Sequence, residues 1–216
     1  MFCAKKVVFL HGLLLNVQFL TLMSISRTRD LLVDVARQLF ARIGVENTTM
    51  NDIALASKKG RRTLYTYFKS KNEVYLAVVE SELQQLIKTL EVVANKDMKP
   101  DEKLMAFILT RMEAVKETVF RNGTLRADFF RDIWRVEMVR KQFDQREMEL
   151  IRQILIDGNE QKVFAVENVE SMVMILHYSL KGLDVPYIRG VFNELGVERG
   201  QLRDGIVHLL FNGLKK

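Results

Sequence analysis

Ser57-Lys58-Lys59-Gly60-Arg61-Arg62-Thr63-Leu64-Tyr65-Thr66-Tyr67-Phe68-Lys69-Ser70-Lys71 joins two short helical patterns through a basic turn. Ser57 to Gly60 interrupts one helical pattern, and a second starts near Arg61. Leu64 and Phe68 lie four residues apart, so they share one face and anchor the new helix inward. Arg61, Arg62, Thr63, Tyr65, Thr66 and Tyr67 are left for its other faces. A helix that presents cations, hydroxyls and aromatics together has the groups needed to grip a phosphate backbone and reach base edges in a groove. Tyr65 and Tyr67 also fit half-buried core aromatics, and Thr63 an ordinary helix position. Ser70-Lys71-Asn72-Glu73 has the spacing of a capping box that opens the following helix, and its first-turn amides beside Lys71 are expected to seat a phosphate.

Upstream, Leu32, Val35, Ala36, Leu39, Phe40 and Ile43 recur at the spacing of one apolar helical stripe. Gly44 stops that helix, because glycine enters the left-handed cap conformation without penalty. Thr48 and Thr49 offer a hydroxyl N-cap, and Asp52 favours the positive end of the helix they open. Ile53, Ala54 and Ala56 make that helix short and small-faced. The unit so defined is three helices with a helix-turn-helix inside it.

The charge is local. Residues 24–72 hold ten Lys or Arg against four Asp or Glu, a net +6, while residues 1–23 add +2 and residues 73–216 carry −2. A basic patch confined to one small unit is the electrostatic footprint of nucleic-acid binding. A Lys-Lys-Gly-Arg-Arg run standing alone reads more simply as solvated surface; here it sits inside the motif.

With Ala36, Leu39-Phe40, Gly44, Thr48-Thr49, Ile53-Ala54, Thr63-Leu64-Tyr65, Tyr67-Phe68, Ser70-Lys71 and Val74 in order and without gaps, the chain resembles the tetracycline-repressor (TetR) family of bacterial transcription regulators. It departs from that family in the turn, where Lys58, Lys59 and Gly60 replace the usual glycine, small apolar residue and serine, and at Arg62, which replaces a common glycine. The resemblance implies an all-α protein: an N-terminal helix-turn-helix DNA-binding domain at 24–72, and a larger helical effector-binding and dimerisation domain at 73–216. Thr49, Lys58, Lys59, Gly60, Arg61, Arg62, Thr63, Tyr65, Thr66, Tyr67 and Lys71 are the candidate DNA-contacting residues. Lys58, Lys59 and Lys71 are assigned to phosphates, and Arg62, Thr63 and Thr66 to base edges.

The rest of the chain supports a helical reading. Of 216 residues 48% are hydrophobic and only two are proline, and alternating β-branched runs are scarce. Helices are expected from Asn72 to about Val93, from Pro100 to Arg121, over 124–157 with a break near Glu137, over 169–183, and over 198–210. Asn122-Gly123 and Asp157-Gly158 read as helix stops. Cys3 is the only cysteine and the histidines, His11, His177 and His208, are scattered, so no disulfide, metal site or cofactor site is expected. No phosphate-loop, dinucleotide or nucleophile-elbow motif is present, and nothing argues for an enzyme.

Phe107, Arg111, Met112, Phe129, Phe130, Trp134, His177 and Tyr178 are the candidates to line an apolar effector cavity with a few polar groups; a packed core of the same residues is the simpler alternative. The natural ligand of such a cavity is a hydrophobic or amphipathic small molecule, with Arg111 or His177 at its polar end. By resemblance, helices 169–183 and 198–212 pair two copies of the chain, with Met172, Leu176, Leu180, Leu202, Ile206 and Leu209 in the interface.

Residues 7–26 carry no charge and follow Lys5-Lys6. His11, Gly12, Asn16 and Gln18 interrupt the run. The expectation is that residues 1–23 are an over-extended start with Met23 as initiator; an extra helix and a membrane anchor are the alternatives. The reading is a cytoplasmic, ligand-responsive homodimeric repressor of a near-palindromic double-stranded DNA operator. Its rivals are a membrane-tethered DNA-binding sensor and a DNA-binding protein without an effector.

Overall fold

The computed structural model describes residues 26–121 and 133–212, and all regular structure among them is helical. Residues 1–25, which include nearly all of the uncharged run, lie outside the described residues, as do Asn122-Gly123, Phe129 and Phe130. The chain divides into two compact units, the first ending at Val78 and the second beginning at Val79.

In the first unit, α1 spans 26–43 and ends where Gly44 takes φ +88°, its amide bonded to the Phe40 carbonyl. The stripe it buries is Leu32, Val33, Ala36, Leu39 and Phe40. Val35 is only half-buried and Ile43 is exposed, so the apolar face is rotated toward Val33 relative to the expected one. The helix α2 covers Met50–Ala56 and buries Ile53 and Ala54, while Ala56 faces out. Thr49 is its N-cap. A full capping box joins Thr49 to Asp52: the Asp52 amide donates to the Thr49 hydroxyl at 3.2 Å, and the Thr49 amide to the Asp52 carboxylate at 2.8 Å. Thr48 is not a cap. It is fully buried and donates to the Gly44 carbonyl at 2.7 Å, closing the α1–α2 connection.

The helix α3, Arg61–Tyr67, buries Leu64, with Phe68 buried just beyond its end. The helix α4, Lys71–Ala94, opens where the Glu73 amide donates to Ser70 Oγ. The Glu73 carboxylate accepts from the Lys69 amide rather than from Ser70, a capping box displaced by one residue. Val74, Tyr75, Ala77 and Val78 complete this core, and the Tyr75 ring lies 6.4 Å from that of Phe40.

In the second unit, α5 (Pro100–Arg121), α6 (Ile133–Glu160) and α7 (Val169–Arg189) pack on one another. Proline stands at the first position of α5, where its missing N–H costs nothing. The α6 helix runs through Glu137 without a break, since no glycine or proline is there to interrupt it. It also runs through Asp157-Gly158 to Glu160. Gly158 is not a stop but a contact: a Cβ there would stand 2.0 Å from the Phe164 ring, which folds back onto the helix. The α7 helix extends six residues past the expected end, carries Pro186 internally, and stops at Gly190 with φ +76°. Two further helices follow, α8 (Val191–Glu194) and α9 (Arg199–Asn212). Among the described residues no helix is long and apolar enough to cross a membrane.

Candidate nucleic-acid interface and effector core

The turn between α2 and α3 has the hydrogen bonds of a Schellman cap. The Lys59 amide bonds to the Ala54 carbonyl and the Lys58 amide to that of Leu55, both at 3.0 Å. This geometry needs a left-handed residue just past the helix end, and Lys58 supplies it at φ +53°. Gly60, at φ −64°, needs no special freedom; it is the N-cap of α3, with no side chain to cap with. The strain in this turn therefore falls on a lysine, not on the nearby glycine.

Past the turn, Arg61, Arg62, Tyr65 and Thr66 are exposed and Thr63 and Tyr67 half-buried, on the faces left by Leu64 and Phe68. Lys58 is exposed and Lys59 half-buried. Thr66 donates its hydroxyl to the Arg62 carbonyl at 3.0 Å, so in this state it offers a partner only lone pairs. Thr49 is exposed, but its hydroxyl donates to Asp52 at 2.7 Å as well as accepting from it. The Thr49 hydroxyl and amide hold the Asp52 carboxylate below its ordinary range.

Lys71, expected as a phosphate cation, is engaged within the chain. Its Nζ donates to the Val45 carbonyl at 2.7 Å and to the Glu46 carbonyl at 3.1 Å, which turns the ammonium inward onto the α1–α2 connection.

The second unit holds a buried ion network that sequence reading found only at two of its points. Arg111 on α5 is fully buried, its guanidinium bonded to the Glu147 carboxylate through Nε and to both Asp184 oxygens at 2.6 and 3.1 Å. Glu147 on α6, also fully buried, accepts at its other oxygen from His177 Nδ1 on α7, 2.6 Å away. Among the described residues His177 Nε2 is buried without a hydrogen-bond partner, 3.8 Å from Asp144. Arg140 bonds to Asp144 and Asp184, and Lys181 bridges Asp144 and Glu137.

Burial alone pushes the His177 imidazole toward neutrality, but Asp144 and Glu147 outweigh it and raise its pKa to about 9. Burial likewise opposes the charge on Glu147, and Arg111 with His177 keeps that carboxyl below its ordinary value. Asp144 is held well below the usual carboxylate range: burial is the largest influence and acts upward, but His177, Lys181 and Arg140 overcome it.

Several expectations change as a result. Arg111 and His177 are committed to partners within the chain rather than turned to a ligand's polar end. Phe107 and Met112 are buried on the same helix as Arg111. Tyr178 does not line the interior: it is 56% exposed, its ring edge-on to His177 at 5.0 Å. Trp134 lies in α6, its side chain outside the described residues. The missed members had a signal, since Arg140, Asp144 and Glu147 follow the i, i+4, i+7 spacing, as do His177, Lys181 and Asp184. Two charged stripes at the same spacing, each on a helix with an apolar face, are the pattern of a shared buried network.

The six residues expected to pair two copies differ in exposure within the single chain. Leu176, Leu180 and Ile206 are buried within the chain, and Met172 and Leu202 are half-buried; of the six, Leu209 alone is exposed, at 75%. The apolar side chains that α7 leaves uncovered are Met174, Ile175, Tyr178 and Val185.

Residues 32–78 match the family model described as bacterial regulatory proteins, tetR family. An uncharacterised HTH-type transcriptional regulator of Mycobacterium tuberculosis is 32% identical over 88 residues, 41% of this chain and 44% of that one. The chain thus aligns with less than half the length of that relative. Among solved structures, a transcriptional regulator from Cytophaga hutchinsonii superimposes with a TM-score of 0.68 at 21% identity, over 87% of this chain and 98% of that one. The SmeT–triclosan complex gives 0.63 at 17% identity, covering 88% and 92%. Both likenesses are of fold.

Proposed function

Because the chain belongs to the tetR family of bacterial regulatory proteins, we propose that it is a homodimeric transcriptional repressor that leaves its operator when a small molecule binds its helical C-terminal unit. The observation that carries the DNA-binding part is the outward face of α3. Arg61, Arg62, Tyr65 and Thr66 stand exposed on a helix anchored by Leu64 and Phe68, just past the exposed Lys58. In this reading the cations serve phosphates and position the helix, while Arg62, Thr63 and Thr66 reach base edges, where a good bidentate contact discriminates by about 1–3 kcal/mol. Lys71 is left out of the phosphate set.

Pairing of two copies is supported by the uncovered apolar residues of α7, joined by Leu209 of α9. A two-fold pair of heads calls for a near-palindromic site, with half-sites about 34 Å apart or a multiple of that. Release by a ligand is supported by the SmeT–triclosan complex, in which a protein of the same fold holds a small molecule. The proposed effector is hydrophobic or amphipathic. Because Arg111 and His177 already have charged partners, its polar end must be met by other groups or must break the network.

Selection of bound duplexes from random DNA, followed by footprinting, tests the proposal. A sharp two-fold footprint that a lipophilic compound abolishes is the expected result. Uniform coating of DNA, unaffected by any compound in a broad screen, would falsify the repressor reading and favour a constitutive DNA binder.

A further inference from the structure

Lys71, which the sequence assigns to a DNA phosphate, has its ammonium bonded within the chain. It is the first residue of α4, yet its ammonium reaches back 25 and 26 residues along the chain to the Glu46 and Val45 carbonyls. Those carbonyls lie between the end of α1 and the N-cap of α2. Thr48 Oγ1 bonds to Gly44, Asn47 Nδ2 to Ile43, and the Thr48 amide to Val45. Each of these spans no more than four residues and stays between the last turn of α1 and Thr48. The Lys71 bonds run across the sequence, from the α1–α2 connection to the first turn of α4. A charged donor on neutral carbonyls makes hydrogen bonds stronger than neutral pairs, and these two end three and four residues before Thr49, the N-cap of α2.

We propose that Lys71 is a positioning residue, a strut that holds the α1–α2 connection against the start of α4 and so sets the aim of the helix-turn-helix, and that it is not a phosphate contact. The proposal rests on the DNA-binding reading for its consequence but not for its geometry. Every DNA contact on α3 is aimed through the α2–α3 turn, and α2 is placed at its N-terminus by the segment that Lys71 grips. Loss of the strut disturbs orientation, which specific recognition needs. It leaves intact the number of neutralised phosphates, which sets the salt dependence and the non-specific affinity.

Lysine acetylation of the intact wild-type chain, read residue by residue by mass spectrometry, tests the geometry first. Lys58 is expected to react quickly in the free protein and to become protected on a duplex recovered by selection from random DNA. Lys71 is expected to react slowly in the free protein and to be unchanged by DNA. Fast reaction of Lys71 in the free protein, slowed by DNA, overturns the proposal. If no duplex is recovered and none protects any lysine, the DNA-binding reading has failed, and the free-protein rates still decide whether the strut exists.

Affinity measurements against salt then test the consequence. Lys71→Met is expected to raise Kd for the selected duplex about tenfold while a scrambled duplex changes less than about twofold, with the slope of log Kd against log salt unchanged. Lys71→Arg, which can donate to the same two carbonyls, is expected to recover most of the loss. A parallel loss on both duplexes, with a slope smaller by about 0.9, is the signature of a phosphate contact and refutes the strut. Should Lys71→Met fail to fold, the acetylation rates and the Lys71→Arg affinity carry the test.

Discussion

Lys58→Gly is expected to make the protein more stable and a weaker DNA binder at the same time. Lys58 occupies the left-handed cap position after α2 at φ +53°. A residue with a Cβ meets steric repulsion there of about 1–2 kcal/mol, which glycine escapes. Glycine in turn gives back about 0.4–1 kcal/mol through the greater freedom of the unfolded chain. The balance is a stabilisation of about 0.5–1 kcal/mol, a rise of about 2–8 °C in the midpoint for a unit of this size. The cap hydrogen bonds from Lys58 and Lys59 to Leu55 and Ala54 involve backbone only, so they survive the change. The exposed ammonium does not survive, and leaving one phosphate without its cation reduces the salt slope by about 0.9. Lys58→Ala separates the two effects, because alanine removes the charge but keeps the Cβ at positive φ. Calorimetry of the three proteins, with duplex binding from low to moderate salt, gives the decision. Glycine must be more stable than alanine while the two variants share one reduced salt slope. A glycine variant no more stable than the alanine variant would refute the strain argument, and a slope equal to wild type would refute the phosphate assignment.

The remaining expectations concern the second unit and the α2 cap. Glu147→Gln leaves Arg111 and His177 buried beside a neutral group, and a buried pair broken on one side costs about 3–5 kcal/mol; denaturant midpoints measure it, and an effect under about 1 kcal/mol contradicts the network as drawn. Since His177 is raised from 6.5 to about 9 in the folded chain, its contribution is fully present below about pH 6.5 and is lost as pH rises through 9; unfolding curves across that window must flatten in His177→Gln. Gly158→Ala drives a methyl into the Phe164 ring, at about 1–3 kcal/mol for overpacking, and Phe164→Leu in the same chain must recover part of the loss. Ile175→Glu, on the uncovered face of α7, is expected to yield a folded monomer in sedimentation, whereas Leu176→Glu, in the core, is expected to unfold the unit. Thr49→Ala removes the α2 cap, at about 0.5–2 kcal/mol, and thermal melts report it.

Short-range periodicity and end chemistry account for the features legible in the amino-acid sequence. The split of Leu64 and Phe68 from Arg61, Arg62, Tyr65 and Thr66 follows from four-residue spacing on one helix, and the structure keeps it. Gly44 ends α1, Pro100 begins α5, and Thr49 with Asp52 opens α2, because each acts on backbone groups within one turn of itself. The local +6 charge needed no fold at all to be read.

Tertiary structure decided the rest wherever a residue's partner is distant along the chain. Periodicity finds an apolar face on α7 but cannot say which side meets α5 and α6; the chain buries Leu176 and Leu180 and leaves Ile175 and Tyr178 uncovered. Asp157-Gly158 has the composition of a stop, yet the helix continues to Glu160, and the glycine leaves room for the Phe164 ring packed against it. A lysine at the start of a helix is in local terms a phosphate seat; Lys71 is turned inward by two carbonyls 25 and 26 residues away. Arg111 looked available for a ligand until Glu147 and Asp184, 36 and 73 residues on, were placed against it. A charged side chain takes its role from the charges that packing brings within about 3 Å, and that information is held by the fold rather than by any window of sequence.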